Sequence, residues 1–106
     1  MNTRTDRGTT MHRLQAARRD YLASERNRHS HLATISAIEA RFVSLSERER
    51  QVLLHVASGL TNKQIAGALG IAEVTVKLHR GAMMRKMSAR TLVDLVRMWD
   101  TMVRAA

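Results

Sequence analysis

Val74, Lys77, Leu78, Gly81 and Arg85 fall on one side of any helix drawn through residues 72–87, at about 100° per residue. That side carries two cations, two apolar side chains and one residue with no side chain. Such a face can approach the edges of base pairs. Lys77 can donate to guanine acceptors, Leu78 can meet a thymine methyl, and Gly81 lets the backbone come close. Arg80 and Lys86 lie on the flanks, where phosphates would run. The opposite side holds Val76, Met83 and Met87, a set suited to packing inward. A solvated basic face on a packed helix is the plain alternative reading, so the neighbouring segments have to decide.

Those neighbours read as short helices with defined starts and stops. Thr61 with Gln64 three residues later is a capping-box pattern, and Ile65, Ala66 and Leu69 form the inward stripe that follows. Lys63 sits in that first turn beside free backbone N–H groups, and both can meet a phosphate. Leu69-Gly70-Ile71 is a tight turn in which Gly70 can turn left-handed without steric cost. Two short helices joined in this way make a helix-turn-helix. Upstream, Ser46 with Glu49 caps a helix whose Val52, Leu53, Val56 and Leu60 share a face; Gly59 stops it, and Leu54 points away. Downstream, Ser88-Ala89-Arg90 is a short link, and Thr91 with Asp94 caps the last helix. Leu92, Leu95, Val96, Trp99 and Val103 form one face there, widened by Val93, Met98 and Met102. Three short partner helices cannot easily cover so broad a stripe, so part of it is expected to bury against a second copy.

Residues 1–10 are polar and aperiodic and read as a loose tail. Residues 11–43 read as a long linker helix, and 44–106 as the compact domain. The linker has no Gly or Pro and is rich in Ala, Arg, Leu and Glu. A heptad fits it: Leu14, Tyr21, Arg28, Ile35 and Phe42 recur every seven residues, with Ala17, Ser24, His31 and Ile38 offset by three. The seam is apolar at both ends and polar in the middle, the pattern of a weak or register-selecting coiled coil. A lone helix, exposed or folded back, is the other reading. Leu14, Tyr21, Ile35 and Ile38 are therefore dimerisation candidates, together with Val93, Trp99 and Met102 of the last helix.

Composition narrows the function classes. The 106 residues hold 18 Lys and Arg against 9 acids, a net charge of +9. An excess of that size suits a polyanion, most commonly nucleic acid. The charge is spread: residues 1–42 carry +4 (8 minus 4) and residues 43–106 carry +5 (10 minus 5), so basicity alone locates no site. The absence of Cys excludes a disulfide scaffold and a zinc finger. The N-terminal residues lack the apolar core of a signal peptide, no apolar run reaches the length of a membrane span, and a cytoplasmic location is expected. Of five histidines, His29 and His31 fall on different sides of a helix and the others lie in separate segments, so no metal site or cofactor is expected. With no catalytic constellation, no Gly-rich phosphate loop and acids confined to caps and solvated faces, neither is an enzyme.

The stretches LSERERQVL (45–53), GLTNKQIAGALGIAEVTVKLHRGAMMRKM (59–87) and TLVDLVRM (91–98) resemble the LuxR-type helix-turn-helix output domain of FixJ/NarL-like response regulators. The resemblance implies an all-α, four-helix DNA-binding domain preceded by a linker helix. It further implies a dimer on two-fold operators in double-stranded DNA, transcription regulation within a two-component system, and RNA polymerase as a further partner. By position, Lys77 and Leu78 match base-contacting positions, with Val74 and Gly81 beside them on the same face, and Lys63, Thr75, Arg80 and Arg85 match or lie near backbone-contacting ones. Glu49 matches a characteristic acid with a structural role. Gly81 and Ala72 depart from the pattern, which favours a longer side chain at the first and a Ser or Thr cap at the second.

Nothing upstream of residue 44 has the pattern of a receiver domain. The chain reads either as the C-terminal part of a response regulator or as a stand-alone regulator. A different class also fits the polar-centred heptad: a protein-interaction regulator that pairs through 11–42 with another helix-turn-helix protein and inhibits it. Promoter-reading sigma-factor domains share some of the same logic, but their recognition helix continues differently from HRGAMMRKM.

Overall fold

The computed structural model describes the backbone of residues 3–106, with side chains from Thr10 onward. Among the described residues every regular element is a helix: α1 Thr3–Val43, α2 Glu47–Ala57, α3 Asn62–Leu69, α4 Glu73–Lys86 and α5 Leu92–Ala105. The chain divides into two units, the first ending at Thr34 and the second running Ile35–Ala106.

In the first unit, α1 is solvated on all sides from Thr10 to Thr34. From Thr10 to Thr34 every side chain except Ala23 and Glu25 is exposed, Leu14 and Tyr21 included. Arg28 pairs with Glu25 at 2.8 Å across one turn. The helix begins at Thr3, so the stretch expected as a loose tail is helical in backbone over residues 3–10; the first two residues lie outside the described range. Gly8 costs a helix only about 1 kcal/mol relative to Ala, and without Pro nothing enforces a stop.

The second unit takes in the last turns of α1, earlier than the expected start at 44. Ile35, Ile38 and Phe42 are the reason. Their spacing gives α1 a short apolar stripe, and Ile38 joins the buried core. Phe42 lies against Trp99 of α5, with ring centroids 6.2 Å apart and a tilt of 46°, a favourable aromatic geometry. The centre of the core is aliphatic: Leu45, Val52, Leu53, Ile65, Val76, Met83, Met87 and Leu95 are all inaccessible to solvent or nearly so.

Each helix boundary has a local cause. Ser46, Thr61 and Thr91 cap α2, α3 and α5, and each is answered by the residue three positions on, Glu49, Gln64 and Asp94. α4 starts at Ala72 with no side-chain acceptor. α2, α3 and α4 end alike, on a left-handed residue whose successor donates back five residues. Leu60 N–H reaches the His55 carbonyl at 3.0 Å, Ile71 that of Ala66 at 3.1 Å, and Ala89 that of Met84 at 3.0 Å. The left-handed residues are Gly59, Gly70 and Ser88. The first two were legible as stops; Ser88, at φ 56°, was not.

Candidate nucleic-acid interface

The faces of α4 separate as the spacing predicts. Val76 and Met83 are fully buried, and Met87 caps the helix from within the core. Val74 and Leu78 are 65% and 70% exposed, two apolar side chains open to solvent on one face. Lys77 and Arg85 are exposed on the same side. Among the described residues neither has an ion pair or a side-chain hydrogen bond. Gly81 lies between them, half-buried; a Cβ there would meet only the Arg85 guanidinium, at 3.5 Å. Thr75 is half-buried on the flank.

The other two cations of α4, expected on the flanks, each have a side-chain partner within the domain. Lys86 Nζ donates to Glu49 Oε1 at 2.7 Å, so its charge is matched within the chain. Glu49 also accepts from the Ser46 N–H at 2.8 Å. The hydrogen bond from Lys86, then that from Ser46, hold the Glu49 carboxyl below the usual carboxylate range, against the opposing effect of burial. Arg80 Nη1 donates to Asn62 Oδ1 at 2.9 Å. Asn62 carries no charge, so Arg80 keeps its own. Sequence reasoning missed Asn62, because the contact joins the first turn of α3 to the middle of α4 across 18 positions that no periodicity links. Lys63, one residue on, is exposed and has no ion pair or side-chain hydrogen bond among the described residues.

The dimerisation candidates divide. Ile38 is a core residue of its own unit, 6% exposed, so it is withdrawn from any contact with a second copy. Trp99 and Met102 are half-buried against the same core, and the Trp99 ring is tilted against Phe42. Val93 is exposed, as are Leu92, Val96 and Val103 beside it; Leu95 alone of that stripe is fully buried. Ile35 is half-buried, and Leu14 and Tyr21 are solvent-facing. Among the described residues no three His, Asp or Glu side chains gather as metal ligands, and no helix is long and apolar enough to cross a membrane.

A short capped helix, a left-handed glycine turn and a second helix with one face buried and one basic face open define a helix-turn-helix domain. The chain belongs to the LuxR family of bacterial regulatory proteins, whose GerE sequence profile matches residues 43–99. It is 49% identical over 82 residues to nodulation protein W of Bradyrhizobium diazoefficiens, covering 76% of this chain and 36% of that protein. It is 56% identical over 61 residues to the transcriptional regulatory protein FixJ of Rhizobium meliloti, covering 58% and 30%. The structure of the response regulator StyR superposes with a TM-score of 0.74 at 43% identity, over 85% of this chain and 46% of that one. The chain thus spans about a third of the length of the two curated relatives and under half of StyR. By class it carries a LuxR-type helix-turn-helix domain.

Proposed function

We propose that the domain reads double-stranded operator DNA with α4 in the major groove. Val74, Lys77, Leu78 and Gly81 face base edges, while Lys63, Thr75, Arg80 and Arg85 hold the sugar-phosphate backbone. One observation carries this reading: Val74 and Leu78 stand open beside the unpaired Lys77 on a helix whose far side is fully packed. The chain binds as a homodimer, a reading supported by the exposed Val93 of α5 and by Leu14 and Tyr21 of α1. Its setting is transcription control in the cytoplasm, with RNA polymerase as a further partner and two-component signalling upstream.

The test begins with selection of a preferred duplex from a random library. Lys77→Ala then lowers affinity for that duplex by about 1–3 kcal/mol and relaxes the preferred base, whereas Lys63→Ala weakens all duplexes alike. Equal losses on random and selected DNA from both variants would remove Lys77 as a base reader. The exposed apolar residues of α1 favour a second reading, a regulator that pairs with another helix-turn-helix protein. A stoichiometric complex with such a partner, with no footprint on any duplex, would replace the first reading by this one.

A further inference from the structure

We infer that Asn62 is a positioning residue: its side-chain amide orders the Arg80 guanidinium for a phosphate of the bound duplex while leaving its charge unspent. The inference rests on α4 as the DNA-facing helix and assigns a role to Asn62 of α3, which is not among the DNA-contact residues proposed above.

The four cations of α4 are held in three different ways. Lys77 and Arg85 are exposed and, among the described residues, without a side-chain partner. Lys86 is bound to a carboxylate, the half-exposed ammonium on a buried Glu49. Arg80 is tied to a neutral acceptor, Asn62 Oδ1 at 2.9 Å, and both side chains are half-buried. These arrangements differ in what they leave for a polyanion. A lysine neutralised by Glu49 gives up little counterion on binding DNA. A guanidinium held by an amide has used one of five N–H donors and still carries a full positive charge.

Asn62 is free for this task because the cap of α3 is already complete. Thr61 accepts from the Gln64 N–H at 3.2 Å, and the Gln64 side chain accepts from the Thr61 N–H at 2.8 Å. The Asn62 amide adds nothing to that reciprocal pair and turns instead to α4. Arg80 lies 60° around α4 from Lys77 at about 100° per residue, on the flank rather than the crest of the exposed face. A phosphate bordering the groove sits there. An arginine left to itself would have to freeze several torsions when it met that phosphate. The amide freezes them beforehand, so the cost of ordering does not fall on the binding step.

The experiment measures binding of a fluorescein-labelled random-sequence duplex across a salt series, using the full chain, Asn62→Ala, Arg80→Ala, the double variant and Asn62→Asp. Circular dichroism melts confirm that each variant is folded. Arg80→Ala lowers the magnitude of the salt slope by about 0.9, one phosphate's worth. Asn62→Ala weakens binding roughly threefold to tenfold and keeps the slope, because the phosphate contact still forms but no longer starts ordered. The double variant binds no more weakly than Arg80→Ala. Asn62→Asp turns Arg80 into an ion pair like Lys86, binds more weakly than Asn62→Ala and loses slope.

Additive losses from Asn62→Ala and Arg80→Ala would overturn the inference, because Asn62 would then act independently of Arg80. An unchanged slope in Arg80→Ala would overturn it too, because Arg80 would meet no phosphate. Salt-insensitive binding, or none, by the unmodified chain would instead overturn the DNA-binding reading itself.

Discussion

Lys86 and Glu49 clamp the last turn of α4 to the first turn of α2 through a 2.7 Å hydrogen bond. Glu49 has two tasks in that position: it completes the cap of its own helix with Ser46 and it receives the ammonium from α4. Because it is nearly inaccessible, the carboxylate has no water to replace either donor.

The clamp gives stability a definite dependence on acid. The folded state holds the Glu49 proton less tightly than the unfolded chain, whose value is near 4.5. As pH falls, the unfolded chain therefore takes up the proton first. The contribution is present above about pH 4.5 and is lost as pH drops through the lower folded value. Glu49→Gln is expected to cost about 1–2 kcal/mol at neutral pH, moderated by the exposure of Lys86. It also flattens the decline below pH 4.5. Urea unfolding at a series of pH values checks both.

Ser88 occupies the left-handed stop that glycine fills at 59 and 70. A side chain in that conformation costs roughly 1 kcal/mol, and nothing else in the motif asks for one. Ser88→Gly should raise unfolding stability by about 0.5–1 kcal/mol with the Ala89-to-Met84 hydrogen bond preserved. An unchanged or lowered denaturation midpoint would mean that the hydroxyl carries a role of its own.

Two substitutions on one helix should separate folding from binding. Met83→Ala opens a void in a fully buried site and is expected to cost 2–5 kcal/mol of stability, roughly, by the cavity term. Leu78→Ala removes a side chain from solvent, so stability changes by less than about 0.5 kcal/mol. The same change costs affinity for a selected operator wherever Leu78 covers a thymine methyl. Thermal melts paired with fluorescence titrations give both numbers for each variant.

Much of this architecture could be read from residue spacing. The three capping boxes, the Gly59 and Gly70 stops and the Val76/Met83/Met87 stripe all follow from short-range rules, in which residues three or four apart decide the outcome. The identity of the open face followed by subtraction. What could not be read was long-range. Ile38 fitted a heptad and a core stripe equally well, since both want an apolar residue at that spacing, and tertiary packing chose the core. Lys86 and Arg80 looked alike until α2 and α3 brought a carboxylate to one and an amide to the other. Ser88 was hidden because a left-handed serine leaves no mark in composition.

One consequence of the bare start at Ala72 concerns timing rather than affinity. α2, α3 and α5 each begin with a side-chain oxygen closing on a backbone amide, and α4 does not. In heavy water, the leading amides of α4 should trade their hydrogens sooner than the capped amides of its neighbours. α4 is thus fastened along its shaft by Val76 and Met83 and slack at its tip, which would leave its opening turn free to settle after a first encounter with the duplex proposed as its partner.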